Sequence, residues 1–274
     1  MSPALTPEPL TASQTEIVPP AQRLRVLVAE DTPANQALVK AVLEKMGHSV
    51  LIVGDGAEAI EAVKRGSFDV VLMDVQMPRV DGYEATRQIR ALEGTISAIP
   101  IIGVTAYARD ADRRAVLDSG MDEYVSKPFR LVTLAAALQK VTENCNRFES
   151  SGPDEAGTSD VDIDFDETVL GALLTAVGKD TFRELVGDFE TTLEMLLAKL
   201  ETAIASRDEQ SLRVTAHRLI GVVGQFGGKG VAEAARALEF GPQAQLNEGA
   251  RDLIERCRRL RSEVRQWSRE KAAL

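Results

Sequence analysis

Five side chains of contrasting character stand at the ends of apolar runs: Glu30 and Asp31 after LRVLVA, Asp74 after VVLM, Thr105 after IIGV and Lys127 after EYVS. Three carboxylates gathered in one place repel one another unless a hard divalent cation lies among them, and Mg2+ favours carboxylate, carbonyl and water oxygens. With a hydroxyl and an ammonium alongside, such a cluster could bind a phosphoryl group. The metal and Lys127 would neutralise its oxygens while one carboxylate attacks phosphorus in line. Asp74 is the candidate nucleophile, because the strand-like run Val70 to Met73 stops at it and passes into the Met-Pro and Asp-Gly loop VQMPRVDG.

The segments that must position these groups alternate in period. LRVLVAED, SVLIVGD, FDVVLMD, IPIIGVTA and EYVSKP read as strands, and each is followed by a stretch with helical spacing, from PANQALVKAVLEKMG to RLVTLAAALQKVTE. Strand runs apolar on both faces, interleaved with helices, predict a doubly wound α/β domain with a five-stranded parallel sheet. In such a sheet ligands bind outside the carboxyl ends of the strands, where all five candidate residues fall. Gly47, Gly66 and Gly120 follow periodic segments, as left-handed helix stops would.

Residues 1–22, rich in Pro, Ser and Thr, read as a disordered tail, and 23–143 as the α/β domain. The stretch NCNRFESSGPDEAGTSDVD carries almost no apolar content, so 144–161 reads as a flexible linker. From 162 to 274 the text is helical, over about 166–177, 179–206, 208–226, 229–240 and 249–272. Each helix carries one apolar stripe, which predicts an all-α helical bundle. On the third of these helices Leu212, Ala216, Leu219, Val223 and Phe226 form the stripe. His217 falls on the other side, with Gly221, Gly224 and Gly228 stacked near it. Glycine inside a helix costs about 1 kcal/mol relative to alanine, so open access to the imidazole is a reason for removing those side chains.

With the acidic pair at 30 and 31, MDVQMPRVDG, VTA and YVSKPF in place, residues 24–143 resemble a response-regulator receiver domain of the type attached to hybrid histidine kinases. The resemblance implies that Asp74 is the phosphoacceptor and that Glu30, Asp31, Asp74 and the backbone carbonyl of Gln76 hold Mg2+. It also implies that Thr105 and Lys127 contact the phosphoryl group, that Tyr124 is the aromatic switch residue and that the Lys127-Pro128 bond is cis. Through AHRLIGVVGQFGG, residues 162–272 resemble a histidine-containing phosphotransfer (HPt) domain, with His217 as the phosphocarrier. That family usually has a lysine where Ile220 stands, and small residues at Val222 and Val223. A cation at 220 would be expected to attract an acidic crevice.

These features together predict a two-component phosphorelay protein, a phosphoacceptor rather than a turnover enzyme, since no ATP-binding kinase core is recognisable. Its expected partners are a histidine kinase as phosphoryl donor and another receiver or HPt protein in the relay. The alternative is a regulatory binding protein switched by Asp74 phosphorylation, whose bundle binds a partner without being phosphorylated. A net charge of −10 with 4% aromatic residues argues against nucleic-acid binding. Cys145 and Cys257 fit no metal spacing and read as free thiols. No run approaches the roughly 18 apolar residues of a membrane helix, and the chain reads as cytoplasmic. GDGAEA (54–59) imitates a dinucleotide fingerprint, but Asp55 would set a negative charge beside a pyrophosphate. His48 reads as an ordinary surface histidine, and Arg251 to Arg269 as a solvated helix face with i,i+4 ion pairs.

Overall fold

A computed structural model describes residues 23–105, 110–127, 131–143 and 165–272. The expected tail, the linker, Cys145 and the Lys127-Pro128 bond lie outside them. Strands β1 (Arg25–Ala29), β2 (Ser49–Val53), β3 (Val70–Asp74), β4 (Ile101–Thr105) and β5 (Glu123–Ser126) form one parallel sheet in the order β2-β1-β3-β4-β5. Helices α1 (Pro33–Lys45), α2 (Gly56–Arg65), α3 (Gly82–Arg90), α4 (Asp110–Asp118) and α5 (Leu131–Glu143) connect and follow the strands. The order reverses between β1 and β3, the position where such sheets open a crevice at the strand ends.

Side-chain alternation sorts the strands onto two cores. Val26 and Val28 of β1 and Val70 and Leu72 of β3 join the core shared with α1 and α5. Leu27 and Ala29, with Val71 and Met73, join the core under α2, α3 and α4. The two edge strands depart from the expectation of two buried faces: in β2 Leu51 is 46% exposed, and in β5 only Val125 is buried. Gly47 and Gly120 take the expected left-handed conformation, at φ 91° and 95°, whereas Gly66 has φ −125° and ends α2 in extended backbone.

The C-terminal region comprises α6 (Glu167–Val177), α7 (Lys179–Ser206), α8 (Glu209–Gln225), α9 (Lys229–Phe240) and α10 (Leu246–Ala272). Asp166 and Asp208 cap α6 and α8 by accepting the N–H groups of Thr168 and Ser211. Phe189 stacks on Phe226 with 4.3 Å between ring centroids, and Phe182 meets Trp267 edge-on at 5.7 Å. Arg256 of α10 makes an i,i+4 pair with Asp252, while Arg258, Arg261 and Arg265 reach across to Glu201, Glu194 and Glu190 of α7. These three pairs cross between helices, where the expected i,i+4 pairs would act within one helix. Cys257 is a buried free thiol whose pKa is pushed up to about 12 by burial.

The two regions are packed together. Helix α1 lies against α6, α7 and α8, and one apolar core runs from the α1 face of the sheet into the bundle. The expectation of a single stripe on each helix fails for α8. Ile220 and Val222, off the stripe, are as fully buried as Leu219 and Val223, and the run from Leu219 to Gly228 has no exposed residue. His48 is likewise buried, at 3% exposure, and its Nδ1 accepts the N–H of Leu24 at 3.2 Å. Burial lowers its pKa.

Candidate functional site

The crevice at the β1/β3 switch point gathers the carboxylates. Glu30 and Asp31 follow β1 directly, and Asp74 is the last residue of β3. One oxygen from each lies within 4.8 Å of the others, a spacing that one cation could span. The loop after Asp74 turns back sharply: the Gly82 N–H donates to the Val75 carbonyl at 2.9 Å, and a side chain at Gly82 would collide with the carbonyl of Asp74. That close approach accounts for the Asp-Gly pair that ends the loop and starts α3, with Asp81 capping the helix.

Lys127 enters from the end of β5 and bridges two of the acids. Its Nζ donates to Glu30 Oε2 at 2.6 Å and to Asp74 Oδ2 at 2.7 Å. Thr32 N–H and Asn35 Nδ2 donate to Glu30 Oε1 at 3.2 and 3.0 Å, and the Gln76 N–H donates to Asp74 Oδ1 at 3.2 Å. The Asp74 pKa is raised to about 7, because burial and the nearby Glu30 outweigh the attraction of Lys127. The Lys127 pKa is raised even though burial opposes it, because Asp74 and Glu30 together hold the ammonium charged.

The same small cavity, of about 10 Å³, is lined from the other region by His217, Arg218 and Gly221 of α8. Arg218 donates to Asp31 Oδ2 at 2.7 Å. Gly221 permits the approach, since a Cβ there would lie 3.0 Å from Asn35 Nδ2 and 3.5 Å from the Lys127 side chain. The His217 ring is held through Nδ1 by Glu239 of α9, 3.2 Å from Oε1. Among the expected neighbours of the imidazole, Gly228 does not belong to this face: its Cβ position meets Leu260 and Val223 inside the bundle.

Glu30, Asp31, Asp74, Gln76, Lys127 and His217 thus come together around one cavity. Thr105 is buried at the carboxyl end of β4, outside the cavity lining, where its carbonyl accepts the Lys127 N–H at 2.5 Å. Tyr124 packs, half-buried, against the core under α2 and α3. Sequence reasoning missed Asn35, Arg218 and Glu239. Asn35 carried a faint signal, an amide in the first turn of α1 just after the acidic pair. In GDGAEA the glycine at 56 serves packing: a Cβ there would meet the Val80 carbonyl at 2.6 Å, while Asp55 caps α2. Among the described residues no helix is long and apolar enough to cross a membrane.

Comparison with known families and proteins gives a consistent result. Residues 26–139 match the family model described as response regulator receiver domain, and residues 184–268 match the Hpt domain. The chain is 35% identical over 271 residues to the sensor protein GacS of Pseudomonas syringae pv. syringae, covering 93% of this chain and 29% of GacS. It is 28% identical over 208 residues to the aerobic respiration control sensor protein ArcB of Escherichia coli K12, covering 76% of this chain and 26% of ArcB. It therefore spans less than a third of the length of these relatives. A crystal structure of the receiver domain of a Pseudomonas aeruginosa PAO1 sensor histidine kinase, with a magnesium ion coordinated in its active-site cleft, is 39% identical. It covers 44% of this chain and 99% of that domain, with a TM-score of 0.42.

Proposed function

The chain joins a response regulator receiver domain to an Hpt domain, and from that premise we propose a two-component phosphorelay protein in which Asp74 accepts a phosphoryl group and His217 carries one. The observation that carries this reading is that His217 lines the same cavity as Asp74, Lys127 and the acidic pair. Transfer towards the receiver breaks the P–N bond to the imidazole and forms a P–O bond to the Asp74 carboxylate; transfer towards the bundle is the reverse. Glu239, on Nδ1, favours the tautomer whose Nε2 lone pair is the nucleophile. Lys127 neutralises charge on the phosphoryl oxygens, Thr105 contacts them, and Tyr124 relays the state of the site to the surface.

Glu30, Asp31, Asp74 and the Gln76 carbonyl are the groups that would hold Mg2+, and the clustering of three hard oxygen donors fits that ion. When bound, it supplies electrostatic stabilisation of the phosphoryl oxygens. The receiver unit is assigned to residues 23–143 and the phosphotransfer unit to 162–274, joined through 144–161 after a tail at 1–22. The packing of α1 on the bundle supports exchange within one chain, and a linker of this length holds the sites at high effective concentration. A histidine kinase serves as donor, a further receiver or HPt protein as relay partner, and the cytoplasm is the compartment.

The test is labelling of the full chain by acetyl phosphate or a labelled kinase. Asp74→Asn should abolish label on the receiver, because an amide is no nucleophile, and His217→Gln should abolish acid-labile label on the bundle. Receiver labelling that survives Asp74→Asn would refute the assignment.

A further inference from the structure

We infer that Arg218 and the divalent cation compete for Asp31, so that loading the receiver with metal and docking it on the bundle oppose one another. The inference rests on the metal site proposed above and concerns what the rest of this chain does to it.

Each carboxylate oxygen of the cluster already has a protein donor. Glu30 is held by Thr32, Asn35 and Lys127, Asp74 by Gln76 and Lys127, and Asp31 by the Thr32 hydroxyl at 3.0 Å and by Arg218. All of these donors except Arg218 belong to the receiver and stay with it when the domains part. The Asp31 side chain is 7% exposed and that of Arg218 24%, so the pair is largely withdrawn from water and screened little by salt.

Space and charge point the same way. A cavity of about 10 Å³ has room for about one water-sized particle, whereas Mg2+ in such sites keeps several waters. The hydrated ion enters the crevice only if α8 withdraws. With Lys127, Arg218 and a dication all present, positive charge would also exceed that of the three carboxylates. A phosphoryl group on Asp74 brings further negative charge and removes the excess, so metal and Arg218 can then face one another across a crevice that α8 has widened by withdrawing. The device would hold the metal-loaded, unphosphorylated receiver open to an outside donor and let the bundle approach again, at a wider spacing, once a phosphoryl group is in place. By linkage, the factor by which docking weakens metal binding equals the factor by which metal weakens docking.

The test measures binding of Mn2+ to the full chain by electron paramagnetic resonance, and of Mg2+ by calorimetry, with X-ray scattering as a second readout. Arg218→Ala, and Arg218→Gln as the more conservative change, should tighten metal binding by about five- to tenfold. Mg2+ should increase the radius of gyration of the wild-type chain but not that of Asp31→Asn. Unchanged or weaker metal binding in both Arg218 variants would overturn the inference. So would an equal gain on an Asp31→Asn background, which would mark a long-range field rather than competition for one carboxylate. Wild-type dimensions that ignore Mg2+ would overturn it as well. If Asp31→Asn itself binds metal as tightly as wild type, the metal site fails and not merely the competition for it.

Discussion

The Asp74 crevice and the His217 face meet at one cavity, yet they are built by opposite means. The crevice draws its groups from the ends of β1, β3 and β5, each fixed in register by the parallel sheet, so its acids and Lys127 are placed by backbone hydrogen bonding. The His217 face depends on one helix, a carboxylate lent by α9 and a gap left by Gly221. One site is dense with charge and tolerates that density by internal pairing. The other presents a single imidazole beside the gap left by a glycine. Substitutions should therefore damage the crevice through electrostatics and the helix face through shape.

The largest effect expected from this contrast is at Ile220. Family resemblance suggested that a cation at this position would help docking, but the side chain is fully buried in the core that continues from the bundle to α1. Ile220→Lys should place an unpaired ammonium in that core and cost about 3–5 kcal/mol of stability. Urea unfolding measures the loss. A drop below about 1 kcal/mol would mean that α8 has an open face, and the contrast between a packed helix and a charged crevice would fail.

Gly221 sharpens the comparison from the other side. Gly221→Leu should favour the helix by about 1 kcal/mol through propensity yet force side-chain atoms against Asn35 and Lys127. Exchange between His217 and Asp74 should slow by about a hundredfold, since displacements near 1 Å carry costs of that order. Labelling of Asp74 by acetyl phosphate, which needs no docked helix, should be retained. Quench-flow measurement of transfer beside steady-state labelling separates the two. Equal loss in both would place the damage in the crevice and not at the docking face.

This division also accounts for what the sequence disclosed. Strand ends of a parallel sheet share one edge, so Glu30, Asp31, Asp74 and Lys127 could be grouped from spacing and element type alone. The helix limits followed from period and caps; Lys179–Ser206 and Lys229–Phe240 agree with the expected ranges. The partners of His217 could not be read this way, because Glu239 lies 22 residues away on another helix and Arg218 acquires a role only when the domains pack. A stripe analysis assumes that a helix has one covered side. Helix α8 has more than one, which is why the stripe leaves out Ile220 and Val222, both fully buried. His48 was misread for a related reason: a short polar turn gave no sign that its Nδ1 accepts the Leu24 N–H at the start of β1.

A smaller effect tests the electrostatic half of the contrast. Asp74 carries a pKa raised to about 7 in the folded chain, principally by burial, against an ordinary value near 3.8. A carboxyl group whose folded pKa is raised binds its proton more tightly in the native state. Its protonated form therefore favours the fold, fully so below the unfolded value, and that contribution is lost as pH rises through about 7. Asp74→Asn is neutral at every pH and leaves Lys127 paired with Glu30. Without divalent metal, the variant should match the wild type near pH 4 and exceed its stability by about 1–3 kcal/mol at pH 8, the order expected for a buried, crowded carboxylate. Added Mg2+ should shrink the difference at pH 8, because the ion stabilises the ionised form only where the carboxylate is present. Thermal unfolding of both proteins across that range, with and without the metal, supplies the measurement. A wild type that is the more stable partner at pH 8 without metal would mean that Lys127 fully compensates the buried charge, and that the crevice is no more strained than the helix face opposite it.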